Sequence, residues 1–511
     1  MSLELRPKLS LPLNDQDVLN RLGYKEEFKR DFSRIQLFGL SFSIVGVVQS
    51  IAAVLLYSIP YGGPVGMVWG WLTCCFFLTF VGMAMAELGS AAPTAGDLYY
   101  WTFKFSSPRY RKLLSWLIGY INTAAYIAGL ASLMAAVTIG SNGRFTPTNA
   151  QIYGVYCALL ILHAVLASLA TKFIARLQYF YVFLNIALFL TVIIVLPITT
   201  PTELKNKASY AFGHFENVSG WNNGFAFILS FLAPAWTVGG FDTSVHISEE
   251  ARNASRAVPF AIMCATVFSS LLGWVINIVL AFHIGSDLEA VINNPIGQPM
   301  ATIFANSVGS KGTVVIWAFM VITLFMTGMD YVRSCASSLI AGSRQIFAFS
   351  RDRGLPLSRI LYRMNNRTQT PVHAVFFCAG LSLILGLISF AGPVAITAVF
   401  TMSVVCQYIG FTVPIIARFV GGSRFVHGPF NLGCMSGPVA CIASAYMIFM
   451  IVSMNYTVVV VGGTILLSLG YYFFPVYGGK HWFTGPVHTV VDEGAASSLG
   501  ESGNSQALEK S

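Results

Sequence analysis

The stretch FAFILSFLAPAWTVGGFDTSVHISEEA, residues 225–251, decides how the rest of the chain is read. It starts with the continuous apolar character of a membrane helix. Pro234, Gly239-Gly240 and Asp242 then interrupt it. Proline removes a backbone donor, and glycine weakens a helix. A helix broken at membrane depth must hand its freed amides and carbonyls to another partner. In membrane carriers that partner is often a substrate or ion. A kinked helix without a binding role is the alternative. The double glycine beside a carboxylate favours a site.

Composition carries the same message. Of 511 residues, 55% are hydrophobic and 10% charged, with 40 Phe and 46 Gly. Soluble domains carry charge on about a quarter of their residues. The mean hydropathy of +0.68 identifies a polytopic, all-α membrane protein whose helices pack through small residues. Residues 1–34 are polar, and the first apolar run starts near Ile35 and is long enough to span, so no cleavable signal peptide is expected. The nine Cys lack metal-ligand spacing, and no metal or cofactor is expected.

Twelve spans are expected, near 35–59, 65–88, 113–138, 150–170, 174–197, 222–245, 257–283, 313–336, 372–391, 395–419, 436–455 and 458–477. They give a cytoplasmic N-terminal arm (1–34), a membrane domain (35–477) and a flexible cytoplasmic tail (478–511). With both termini inside, all but Arg144, Lys205, Lys207 and Lys311 of the 30 Lys and Arg lie on the cytoplasmic side. That is the positive-inside pattern. The net charge of +9 therefore faces anionic lipid and does not read as a nucleic-acid surface.

The first span is also interrupted. Ser41, Ser43, Gly46, Gln49 and Ser50 place polar or small groups in an apolar run. Such groups need partners in lipid, although small residues also serve as a packing face. The two breaks lie five spans apart, which suggests two inverted five-helix halves, 35–197 and 222–419, followed by two further helices within 436–477. Trp116, Tyr120, Asn122 and Tyr126 line one span, where aromatics could enclose an ammonium or simply pack the core. Asn185 reads as a bond between helices. Glu87 stands near the inner surface, before a loop turned by Pro93 and Gly96. Glu249, Glu250, Arg252 and Arg256 are expected on a short inner helix, and 284–312 as a loop over the outer vestibule. Asp330 and Arg333, three apart, form either a structural ion pair or a gate.

Three stretches, Ala86–Trp101, Gly239–Pro259 and Ser343–Pro356, together resemble the amino acid–polyamine–organocation superfamily. They are most similar to its fungal branch of GABA, amino acid and choline permeases. The resemblance covers about residues 20–475. It implies a twelve-helix carrier with a 5+5 inverted repeat (the LeuT-like fold), helices one and six unwound at the substrate, and proton-linked uptake or exchange. The unwound segments would be about Ser43–Gln49 and Trp236–Asp242. The family's loop usually carries two glycines where this chain has Gly96-Asp97.

The expected activity is alternating-access transport of a small amino acid or GABA, coupled to protons. Ser43, Gly46, Gln49, Tyr120, Trp236, Gly239, Gly240, Phe241 and Asp242 are the candidate substrate residues. Helix amides would hold a carboxylate, and Asp242 with nearby aromatics an ammonium. Glu87, Asp242, Asp330 and Arg333 are the candidate proton or gate residues. The rivals are a choline, thiamine or polyamine permease and a non-transporting nutrient sensor. No nucleophile and base fall at enzymatic spacing. The plasma membrane is the expected location.

Overall fold

The computed structural model describes residues 14–26, 30, 32–132, 148–169, 171–333, 339–365, 370–423, 425–454 and 457–487. Among them the secondary structure is helical, with two isolated β-bridges, Phe32 to Ala251 and Tyr61 to Asn217.

Among the described residues, ten helices are long and apolar enough to cross a membrane: Arg34–Tyr57, Gly63–Ala91, Asn149–Leu166, Phe180–Thr199, Asn223–His246, Ala254–His283, Pro299–Phe325, Val372–Ala391, Val394–Val420 and Gly433–Ser453. Two more helices, Arg111–Ser132 and Thr457–Phe473, lie where the remaining expected spans fall. The first begins with Arg111 and Lys112 and carries Asn122 and Thr123. The second has only 17 residues. The part of the third expected span beyond Ser132 lies outside the described residues.

Large apolar side chains such as Phe76, Phe183, Phe268, Val459 and Leu466 are exposed on the periphery. Polar side chains such as Asn122, Asp242 and Thr243 are fully buried. An apolar periphery around a core that also buries polar groups is expected where the solvent is hydrocarbon. The core places Ala254–His283 against Trp71–Ala91 and Arg34–Val45, and Pro393–Val420 against Arg111–Ser132.

The first span breaks at Gly46, which takes the left-handed conformation (φ 45°, ψ 64°) between helices Arg34–Val45 and Val47–Val54. Only glycine visits that region without a Cβ penalty. The Ser50 hydroxyl donates to the Val45 carbonyl (2.7 Å), satisfying an acceptor beside the break. The other interruption is milder than expected. Helix Asn223–Leu229 gives way to Leu232–Thr237, a single 3-10 turn over Gly239–Asp242, and Thr243–His246. This segment is tightened rather than unwound: Val238 still donates to the Pro234 carbonyl (2.9 Å). Its glycines serve close approach. A Cβ on Gly240 would lie 2.8 Å from Ile44 Cγ2, and one on Gly239 would lie 2.9 Å from Gln407 Oε1.

Three loop expectations change. Residues 478–487, expected to belong to a flexible tail, are packed: Gly479–Trp482 is a helical turn, and the Val487 amide donates to Asp352. Residues 488–511 lie outside the described residues. Glu249 and Glu250 sit in a 3-10 turn rather than a helix with Arg252 and Arg256, because Glu249 is drawn to partners on other elements. Within 284–312, Leu288–Ile292 is helical, and Pro299 starts a helix kinked at Gly309 (φ 73°).

Candidate functional site

The 3-10 turn delivers Asp242 to the protein interior, fully buried. His246 follows at i+4 and so shares its face. From the facing Arg111–Ser132 helix, the Tyr126 hydroxyl reaches both: it donates to Asp242 Oδ2 (2.7 Å) and lies 2.6 Å from His246 Nε2. The same Nε2 is 3.2 Å from Asp97 Oδ2 and 3.9 Å from Asp242 Oδ2. Asp97 opens the short helix Asp97–Phe105 in the left-handed region (φ 40°), unusual for a residue with a Cβ. The donor atoms of Asp97, Asp242 and His246 lie within 4.8 Å of one another. The phenol hydrogen-bonds to both Asp242 and His246, and Asp97 stands beside Nε2 with neither carboxylate oxygen hydrogen-bonded.

Around this chain lie buried polar atoms without a hydrogen-bond partner. Both amide atoms of Asn122, one turn before Tyr126, are unpaired, as are the hydroxyls of Thr237 and Thr243. Buried polar groups are normally satisfied, so these can take hydrogen bonds from a ligand or water. At the other break, no side chain caps the Val47–Val54 helix.

The structure brings together only part of the expected set. Gly239, Gly240, Phe241 and Asp242 form the turn, with Phe241 packed on Phe411 at 5.7 Å between ring centres. Gly46 forms the facing break, and Ser43, one turn before, offers its carbonyl to the Tyr181 hydroxyl (3.2 Å). Trp236 packs tilted against Phe400 at 5.1 Å between ring centres, and Phe400 against Tyr57 at 5.1 Å, making an aromatic cap on the side away from the termini.

Others sit elsewhere. Gln49 donates to Asn185 Oδ1 (3.0 Å) and Tyr181 (3.4 Å), so its amide joins two helices, and Asn185 does bond across helices as its sequence setting suggests. Tyr120 points to the face that carries the termini, donating to the Gly354 carbonyl (3.0 Å) and packing on Trp116 and Phe349. Tyr126, six residues on, is the tyrosine of this helix that meets Asp242. Glu87 is held by Arg418 through two bonds (2.6 and 3.0 Å) and by Ser436 (2.7 Å), a brace between helices with no described contact to Asp242. Asp330 and Arg333 fall in the last turns of Pro299–Arg333, and their side chains lie outside the described residues.

Asp97 and His246 are the residues that sequence reasoning missed. The i,i+4 spacing of Asp242 and His246 was visible. The approach of Asp97 from another loop was not.

A second cluster closes the face that carries the termini. Asp352 accepts from Tyr24 (3.0 Å), Tyr99 (2.8 Å) and the Val487 amide (2.9 Å). Arg351 lies over the Tyr24 ring (3.9 Å) and 3.5 Å from Glu249, whose other oxygen accepts from Thr94 and the Ala95 amide. Burial pushes the Asp352 carboxyl up to about 6, against the pull of Arg351.

Comparison with known proteins agrees with this architecture. The amino acid permease family matches residues 32–473. An amino-acid permease of Schizosaccharomyces pombe is 37% identical over 94% of this chain and 91% of its own length. The GABA-specific permease of Saccharomyces cerevisiae is 35% identical over 96% of this chain and 88% of its own. Amino-acid permease 2 of Neurospora crassa is 34% identical over 94% and 91%. A multi-pass, all-helical chain with two interrupted helices facing each other across a buried acid, matched along most of its length, belongs to the amino acid permease family.

Proposed function

We propose that the protein is a secondary active permease for GABA or another small amino acid, working by alternating access with proton coupling. The single observation that carries this reading is Asp242, a fully buried carboxylate in a glycine-tightened turn opposite the break at Gly46. Asp242 binds the substrate's ammonium. The uncapped amides at the start of Val47–Val54 bind its carboxylate, since helix N-termini favour anions. The unpaired Asn122, Thr237 and Thr243 groups complete the polar lining. The arrangement supports a twelve-helix carrier with inverted five-helix halves and the termini in the cytoplasm, the side favoured by the Lys and Arg distribution.

The aromatic cap and the Asp352 cluster then act as the two gates. With both in place, Asp242 is sealed from either side, as an occluded intermediate requires. The similarity to a GABA-specific permease favours GABA among the amino acids.

The test is uptake into vesicles reconstituted with the purified chain. GABA, neutral and basic amino acids, choline and thiamine are compared in competition. GABA or a small neutral amino acid should compete best, and Asp242→Asn should abolish saturable uptake. Preference for choline over every zwitterion would overturn the substrate class, and absence of all flux would leave a sensor.

A further inference from the structure

We propose that Asp97 and His246 hold the co-transported proton, and that Tyr126 joins this pair to Asp242, where the substrate's ammonium binds. This rests on the permease reading above and adds the site of coupling to it.

Three contacts run in series: Asp242 Oδ2 to the Tyr126 hydroxyl (2.7 Å), that hydroxyl to His246 Nε2 (2.6 Å), and Nε2 to Asp97 Oδ2 (3.2 Å). The phenol has one hydrogen, so donating to Asp242 leaves it to accept from Nε2. Where the imidazole's own hydrogen sits on Nδ1, completing the series takes a further proton, carried on Nε2 or on Asp97. Moving that proton from Asp97 to Nε2 breaks one O–H bond and forms one N–H bond. Nothing is oxidised or reduced.

Charge explains why coupling follows. Asp97, His246 and Asp242 are fully buried, and two bare carboxylates this close, away from water, are strongly disfavoured. One ammonium on Asp242 and one proton on the Asp97–His246 pair neutralise both acids together. Either cation alone leaves a buried anion. The filled carrier can thus cross between its two faces, whereas the half-filled carrier is held back. Burial first, and the charge of Asp242 second, hold the Asp97 carboxyl well above the usual carboxylate range.

The position of Asp97 gives the proton its exit. It follows directly on the Thr94–Gly96 turn, where Glu249 accepts from Thr94 (3.1 Å) and from the Ala95 amide (2.9 Å). The charged and titratable groups facing the pair are Tyr126 from one helix and Asp242 from another. On the loop's flank stand Glu249 with Arg351, and Tyr99 with Asp352. When the Glu249–Arg351 brace separates, Asp97 meets water on the face that carries the termini, and the proton leaves there.

The experiment uses the full chain in vesicles loaded with a pH dye, with the amino acid found to be its substrate. Asp97→Gly is the main variant, because glycine adopts φ 40° without a Cβ penalty. The variant should retain measurable exchange of labelled for unlabelled substrate. It should lose substrate-driven acidification of the lumen and accumulation driven by a pH gradient. Asp97→Asn should behave alike and decides the matter if the glycine variant fails to exchange. His246→Gln should also lose acidification. Parental proton-to-substrate stoichiometry in both Asp97 variants overturns the proposal and leaves the permease reading intact. A parent that moves substrate without protons overturns it too. A parent that moves no amino acid overturns the permease reading itself.

Discussion

At the level of single residues, Tyr126 is the junction of the site, since its hydroxyl touches both Asp242 and His246. Tyr126→Phe keeps the ring and removes those bonds. Losing a buried hydrogen bond to a charged group costs about 1.5–3 kcal/mol, so saturable uptake should fall roughly tenfold to a hundredfold. Gly240 tests the close approach of the broken segments. Gly240→Ala places a methyl against Ile44, so the melting temperature should drop by the equivalent of about 1–3 kcal/mol. Ile44→Ala in the same chain removes the clashing atom and should recover part of that loss. An additive double variant would show that the two helices are not in contact there.

Among elements, the segments 14–26 and 478–487 meet at Asp352, which accepts from Tyr24, Tyr99 and Val487. Asp352→Ala strands two buried hydroxyls and an amide, and should undock both segments. Hydrogen exchange of 478–487, normalised to intrinsic rates, should then rise by an order of magnitude or more, because the lost bonds are worth roughly 2–4 kcal/mol together. The same cluster carries a pH dependence. Burial raises Asp352 from 3.8 to about 6, so the docked form binds a proton that the undocked form releases. Docking is therefore strongest below the lower value and weakens as pH rises through the higher one. Protection of 478–487 should be greater at pH 5 than at pH 7.5, and Asp352→Asn should flatten that difference.

Across the whole molecule, the Glu87–Arg418 pair ties Trp71–Ala91 to Pro393–Val420. Breaking a buried pair by removing one partner leaves an uncompensated charge and costs about 3–5 kcal/mol. Arg418→Ala should accordingly lower the unfolding temperature sharply, and Glu87→Gln added to it should restore most of it while leaving proton coupling in place. Loss of coupling in Glu87→Gln alone would instead give Glu87 a part in the proton path. The closure at the opposite end is aromatic. Phe400→Ala removes the ring between Trp236 and Tyr57 and should admit an impermeant thiol reagent to a cysteine placed at Thr237, from the side away from the termini.

Composition and hydropathy by themselves determined the class of this protein. A chain that is 55% hydrophobic and 10% charged belongs in lipid, and its long continuous apolar runs satisfy their backbone there as helices. Gly46 and Gly239-Gly240 announced the interruptions, because glycine's backbone freedom is a local property. What lay beyond the sequence was which polar groups meet. Gln49 looked like a substrate ligand and bonds Asn185, and Glu87 looked like a proton carrier and is braced by Arg418. Asp97 looked like a loop residue and stands 3.2 Å from His246. A buried polar side chain must find a partner, but helical spacing names that partner only within one helix. Between helices far apart in the chain, the choice belongs to the packing, and only the tertiary structure decided it.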